Sequence, residues 1–415
     1  MKIKQTVFIL IFALLIMACK SQAGEPETTS FPTPESLLPN KYITEGNLDR
    51  LNVVFAKAQK GGKMVIGALG GSITEGAASP SVDKRYANVV LSWWKKTFPK
   101  AEFELVNAGI GATGSDYGAM RAKRDLLSKS PDFVVVDFAV NDPNTKEYVE
   151  SYEGVIRQIL NAPQKPALML LFMSKSDGTN AQEWQSKVGM YYTLPMTSYR
   201  DAVWPEILAG RLKWAQISPD QVHPNEAGHV LTGEMICMAL ERAYKKFNPE
   251  NIQAVRSSIH EPLFTDSFEF TSLFDGEALV PKTNKGWAFD GSQRKNAGWK
   301  SSVPGSVLEF EISGKVIYLS CWRLNGPMGK ASISVDGGPA VVMDAWFDQT
   351  WGGYRYMLPV GKNLSSGKHT VRIELLSEKN AQSAGNEFRV LCLGSAGIEK
   401  LGCKYKKNNA SICDE

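Results

Sequence analysis

The hydrophobic period of the chain changes once, near residue 250, and that change restricts the fold more than any single motif does. Between Asn47 and Phe247, short, mostly apolar runs at Met64–Leu69, Phe103–Val106, Phe133–Phe138 and Leu168–Phe172 alternate with stretches of helical period at Tyr86–Thr97, Ser115–Leu127, Glu150–Leu160 and Asn225–Phe247. Strands apolar along their whole length must be covered on both faces, and strands that alternate with helices form parallel sheets. After Asn251 the period falls to two. Leu308, Phe310 and Ile312, then Ile333 and Val335, then Val371, Ile373 and Leu375, then Phe388, Val390 and Cys392 alternate with mostly polar neighbours. Turn signals at Ser313-Gly314-Lys315, Asp336-Gly337-Gly338 and Ser366-Gly367-Lys368 separate these runs. The pattern predicts an α/β, doubly wound parallel sheet over residues 41–250. An all-β sandwich of jelly-roll type follows over 251–400, starting near His260, and a polar tail closes the chain at 401–415.

The N-terminal forty residues carry a different message. Lys2 and Lys4 precede an apolar run from Val7 to Ala18, too short for the ~20 residues that a bilayer-spanning helix takes. Residues 1–18 read as a signal peptide. The run ends in Leu15-Ile16-Met17-Ala18-Cys19, which resembles the bacterial lipobox, where a small residue precedes a cysteine that becomes the lipidated first residue. That resemblance implies a lipid on Cys19 and attachment to the bacterial cell envelope through that lipid alone. Ser21–Pro39, rich in Ser, Thr, Pro and Glu, makes residues 19–40 a solvated tether between lipid and fold.

Lys and Arg total 47 against 43 for Asp and Glu. This near balance predicts neither nucleic-acid binding nor electrostatic attachment to a membrane surface. Cys237 lies in an apolar helical pattern and reads as a buried thiol, whereas Cys403 and Cys413 flank a short polar stretch that a small disulfide can close, a pairing the sequence leaves open. No Cys/His spacing resembles a zinc site, so no metal or organic cofactor is expected. Oligomeric state is not legible.

Ligands of an open parallel sheet bind at the carboxyl ends of its strands, beside the point where strand order reverses. The first three runs lead into Gly70-Gly71-Ser72-Ile73-Thr74-Glu75-Gly76, Asn107-Ala108-Gly109-Ile110-Gly111-Ala112-Thr113-Gly114, and Ala139-Val140-Asn141-Asp142. Asp220-Gln221-Val222-His223-Pro224 stands near the end of the domain. A flavodoxin-like strand order, 2-1-3-4-5, places the first and third of these segments side by side. A serine hydroxyl attacks a carbonyl only if a base takes its proton, and imidazole suits that task near neutral pH. Of four histidines, His229 falls in the first turn of the last helix, His260 between the domains and His369 in a strand, which leaves His223. Asp220, three residues earlier, can reach one ring nitrogen while the other faces Ser72.

Taken together, these four segments resemble those of the SGNH (GDSL-like) hydrolase family over most of residues 47–247. The resemblance implies Ser72 as nucleophile, His223 as general base and later general acid, and Asp220 as the residue that orients it. Asn141 matches the asparagine whose amide donates to the oxyanion, and the Ser72 N–H is a second donor. The chain departs from the family pattern at Gly71, where an aspartate is usual, and at Ala139. Ala112 replaces the glycine that supplies a third N–H; its donor survives if its backbone suits a non-glycine residue, and Gly111 is the fallback. Asp142 reads as an anchor for its loop and His229 as structural, while Glu75 and Arg85 read as a surface ion pair.

Members of that family that are lipoproteins and carry a β-sandwich often act on acetylated glycans. By analogy the expected activity is a carbohydrate acetylesterase, a serine carboxylic ester hydrolase whose partner is an acylated polysaccharide or oligosaccharide. The alternatives are a lipid or peptidoglycan O-acyl esterase, and a glycan-binding surface lipoprotein with a vestigial hydrolase domain. Five of the ten tryptophans fall in the sandwich. Trp346 and Trp351 are the candidates for an exposed sugar platform.

Overall fold

The structure, a computed structural model, describes residues 42–255 and 259–398. The signal peptide, Cys19, the tether, Cys403, Cys413 and the polar tail all lie outside the described residues.

Six strands form the first sheet: β1 (Tyr42–Thr44), β2 (Lys63–Gly70), β3 (Glu102–Gly109), β4 (Phe133–Asp137), β5 (Ala167–Phe172) and β6 (Met196–Ser198). Their spatial order is β3-β2-β4-β5-β6-β1, parallel throughout except for β1, which runs antiparallel to β6 at the edge. The five parallel strands thus take the 2-1-3-4-5 order, and Gly70 at the tip of β2 is paired with Gly109 on one side and Asp137 on the other.

The helices are α1 (Asp49–Gln59), α2 (Ser72–Glu75), α3 (Tyr86–Thr97), α4 (Ser115–Asp125), α5 (Lys146–Leu160), α6 (Gln182–Tyr191), α7 (Tyr199–Leu208), α8 (Trp214–Ile217) and α9 (Glu226–Lys246). They cover both sheet faces, so alternate residues of one apolar strand serve two cores: Phe133 and Val135 face one layer, Val134 and Val136 the other. Amphipathic spacing places the helices. In α3, Tyr86, Ala87, Val90 and Trp94 are buried. The start of α9 is set by Asn225, whose side-chain oxygen accepts the Gly228 N–H at 3.0 Å.

Beyond residue 270 the chain is antiparallel. One sheet runs β15 (Tyr354–Gly361), β12 (Val316–Arg323), β17 (Phe388–Ala396), β10 (Gly298–Ser301) and β9 (Ala288–Asp290), with β7 (Thr271–Asp275) also paired to β17. The other runs β14 (Val341–Asp344), β13 (Lys330–Val335), β16 (Lys368–Leu375), β11 (Val307–Ser313) and β8 (Thr283–Lys285). The alternating residues read from the sequence, Leu308, Phe310, Ile312, Ile333, Val371 and Ile373 among them, fill the core between the two sheets.

The two halves share a core. Phe268, Tyr318 and Ala396 are buried in the same cluster as Val134, Met120 and Tyr152. The segment before β7 is strapped to α5 by Glu153, which is wholly buried. Its carboxylate accepts the N–H groups of Leu263 (2.6 Å), Phe264 (2.8 Å) and Thr265 (3.1 Å) and the Tyr192 hydroxyl (2.6 Å). Arg157 binds Glu269 at 2.8 Å and the His260 carbonyl at 2.8 Å, and Arg124 binds Asp275 through two bonds of 2.9 Å.

Candidate active site

The histidine loop is built by its own polar groups. Asp220 accepts the N–H groups of Val222 and His223 on one carboxylate oxygen, both at 2.7 Å, and the His223 Nδ1–H on the other at 2.8 Å. Burial opposes the charge of Asp220, but these donors outweigh it and hold the carboxyl below its ordinary range. From beneath, the Ser218 hydroxyl lies 2.8 Å from the Asp220 carbonyl and 2.6 Å from that of His223, while Trp214 donates its indole N–H to the Asp220 carbonyl at 2.6 Å. With the Nδ1 proton directed at Asp220, Nε2 presents a lone pair. It stands 2.9 Å from Ser72 Oγ.

Ser72 is the first residue of α2, and its side chain does not cap that helix; Gly71 occupies the capping position. The N–H of Ser72 belongs to the first turn and has no intrahelical acceptor. Gly71 is in close approach to Asn141: a Cβ there would lie 2.1 Å from Asn141 Oδ1 and 2.9 Å from its Nδ2, so a larger residue would require the Asn141 amide to shift from its place against the backbone next to Ser72.

The loop after β3 is stitched to α2. Ile110 N–H bonds the Gly70 carbonyl (3.1 Å), Gly111 N–H bonds the Glu75 carboxylate (2.9 Å), and the Asn107 amide bonds the Thr74 carbonyl (2.7 Å). Gly111 is therefore not a free donor. Ala112 next to it is exposed and left-handed, with φ +56°, and among the described residues its N–H has no acceptor. Asp142 anchors the following loop, accepting the Ser115 N–H at 2.8 Å and the Gln185 amide at 2.9 Å; burial pushes its carboxyl well above the usual range. His229 is buried. It accepts the Tyr86 N–H and bonds the Ala77 carbonyl, which ties the segment after α2 to α9.

Two readings need correction. Arg85 donates to the Glu75 backbone carbonyl and the Ser79 carbonyl, and the Glu75 carboxylate is taken by Gly111, so the two do not form a surface ion pair. Trp346 is half-buried and packs against the sandwich core. Trp351, 62% exposed, stands with Phe347 and Tyr354 in an aromatic group whose ring centroids are 5.0–5.4 Å apart, with Arg323 over Phe347 at 5.4 Å.

Sequence reasoning missed Ser218, Trp214, Asp137 and Arg121. Asp137, at the tip of β4, is raised by burial to about 7. Arg121 is wholly buried, and nothing in Ala-Met-Arg-Ala-Lys-Arg-Asp separates it from the exposed basic residues beside it. Among the described residues no group of His, Cys, Asp and Glu stands where it could hold a metal ion.

A hydroxyl, an imidazole and a carboxylate in one line at the tips of a parallel sheet, with unpaired donors alongside, define the class: the protein is a carboxylic ester hydrolase. Residues 68–231 match the model of the GDSL-like lipase/acylhydrolase family. The chain belongs to that family. Among solved structures it is similar over both domains to a two-domain esterase (CEX) active on acetylated mannans. In the form co-crystallized with mannopentaose the identity is 32% and the TM-score 0.80, covering 88% of this chain and 98% of that one. A second structure of the same esterase gives 33% and 0.80, covering 87% and 99%. Axe2, an acetylxylan esterase from Geobacillus stearothermophilus, is 19% identical with a TM-score of 0.36, over 43% of this chain and 94% of that one. No curated protein sequence matches.

Proposed function

We propose that the protein removes acetyl, or another short acyl group, from a polysaccharide or oligosaccharide by a serine acyl-enzyme route. The observation that carries this reading is the unbroken line of bonds from Ser72 Oγ through the His223 ring to Asp220, at 2.9 and 2.8 Å. In this reading Ser72 Oγ attacks the ester carbonyl carbon as its proton passes to His223 Nε2. Asp220 keeps the ring in the productive tautomer and stabilises the imidazolium. The negative charge on the former carbonyl oxygen is met by the N–H groups of Ser72 and Ala112 and the Asn141 amide. Collapse expels the sugar alkoxide, which takes the proton from His223. Water, deprotonated by the same imidazole, then releases the carboxylic acid and restores Ser72.

A carbohydrate substrate is supported by the two-domain esterase active on acetylated mannans, similar to this chain over both domains. It is also supported by the aromatic group around Trp351, since flat exposed rings suit the apolar faces of sugars. Purified protein should release p-nitrophenol from its acetate ester, and Ser72→Ala should abolish release without changing the fold. Undiminished turnover in that variant sinks the mechanism. Acetate released from acetylated mannan, xylan, pectin and peptidoglycan then ranks the glycans. We also propose that Cys19 carries the lipid that holds the protein to the cell envelope. Cys19→Ser should move the protein from the membrane to the soluble fraction, and an unchanged distribution removes the anchor.

A further inference from the structure

Arg121 joins the strand that leads to the nucleophile to the neighbouring strand that leads to the Ala112 loop. It lies on α4 among Ala119, Met120 and Ala122, all buried, and its own side chain is 0% exposed. One terminal nitrogen donates to the Gly70 carbonyl at 3.0 Å, and the other to the Ala108 carbonyl at 2.7 Å. Gly70 is two residues before Ser72, and Ala108 is four before Ala112. Its acidic neighbour is the partly exposed Asp125, at 3.4 Å, and Nε has no partner among the described residues.

A helix face that only needed to pack would place an apolar residue there, because a buried guanidinium must be compensated bond by bond. Here the compensation comes chiefly from two peptide carbonyls at neighbouring strand tips. The planar fork of an arginine spaces its two acceptors rigidly, which a lysine cannot do. The Gly70 carbonyl also accepts the Ile110 N–H, so the fork and that bond together fix the oxyanion loop against the turn that carries Ser72.

We propose that Arg121 is a positioning residue: its fork sets the separation between the Ser72 N–H and the Ala112 N–H, and so the fit of the oxyanion hole to a tetrahedral centre. This rests on the esterase reading above. Misplacement of a catalytic constellation by about 1 Å typically costs on the order of 10²-fold in rate.

The test uses the whole chain with Arg121→Met and Arg121→Lys. Active sites are counted with a fluorophosphonate, and two quantities are measured per active site: turnover of p-nitrophenyl acetate, and inhibition by a small alkylboronic acid, which binds serine as a tetrahedral adduct. Arg121→Met should lose about 10–100-fold in kcat with KM nearly unchanged, and the boronate should weaken by the same factor, because both depend on the tetrahedral fit. Arg121→Lys should fall between. A merely structural role lowers the number of titrated sites and leaves both quantities per site unchanged; that result overturns the proposal, as does lost turnover with undiminished boronate affinity. If Arg121→Met does not fold, Arg121→Lys decides by the same two readouts. A wild-type protein inert to ester and fluorophosphonate removes the esterase reading and this one with it, whereas an active wild type with an unaffected variant removes this one alone.

Discussion

Gly154 of α5 lies flat against Phe268. A Cβ on Gly154 would stand 2.1 Å from the Phe268 Cβ and 2.7 Å from its carbonyl carbon. A helix-interior glycine is ordinarily a liability of about 1 kcal/mol relative to alanine. Here it is the condition for closing the two halves of the molecule on each other. Gly154→Ala should therefore invert the usual sign and destabilise, by about 1–3 kcal/mol, because backbone atoms on the opposing side cannot yield. Urea unfolding checks this; a rise in stability would show that the contact is loose.

Ala112 predicts the opposite outcome. A non-glycine residue in the left-handed region bears a cost of roughly 1–2 kcal/mol, part of which glycine gives back through a freer unfolded chain. Ala112→Gly should raise stability by up to about 1 kcal/mol and keep turnover, since the N–H remains. Lower stability would mean that the surrounding turn favours the methyl group.

The contact between Gly71 and Asn141 makes a coupled prediction. Asn141→Ala should lower kcat by about 10²–10³ with little change in KM, the usual effect of losing one oxyanion donor. Gly71→Ala should mimic it by displacing the amide. The double variant should be no worse than the single Asn141→Ala, because both remove one interaction. Additive losses would assign Gly71 a separate role.

His369 predicts a pH-dependent stability in the sandwich. Both ring nitrogens meet acceptors, Asp336 Oδ2 at 2.6 Å and the Ser365 carbonyl at 2.9 Å. Burial opposes the imidazolium, but the Asp336 bond, the Ser365 carbonyl and the Asp336 charge leave the pKa raised above its ordinary value. The folded state thus holds a proton that the unfolded chain has lost. The contribution is complete below about pH 6.5 and fades as pH climbs through the folded value. Asp336, whose carboxyl is lowered by that same bond, supplies its share above its ordinary range and loses it toward acid. The stability gap between wild type and Asp336→Asn should be wide near about pH 5.5 and narrow near about pH 9. A gap independent of pH would place no titrating charge there.

What could be read from residue order and what could not differ in physical kind. Mostly apolar runs announced β2, β4 and β5 because burial on two faces restricts their composition, whereas the edge strand β3, with Glu102 and Glu104 exposed, showed only through Phe103, Leu105 and Val106. β1 and β6, three residues each, carry too few side chains for a period. The helix reading that begins at Glu150 misses the first turn of α5, which starts at Lys146 with polar residues facing outward. Ser72, His223 and Asp220 were legible because their chemistry restricts residue type. Choosing between Ala112 and Gly111 was not, because the answer depends on Glu75 capturing the Gly111 N–H. Arg121 is hidden for the same reason: its role lies in two carbonyls of other strands, and backbone acceptors leave no trace in composition.

The Glu153 strap also bears on how such proteins can be recombined. Three consecutive amide donors grip one carboxylate that belongs to the other half, so the passage between halves is not a swivel. A splice placed at residue 250 would sever nothing covalent that matters, yet it would pair a foreign strap with a buried acid it was not shaped to meet. Exchange of whole sandwiches between relatives is expected to succeed only when the strap and its receiving helix are inherited together.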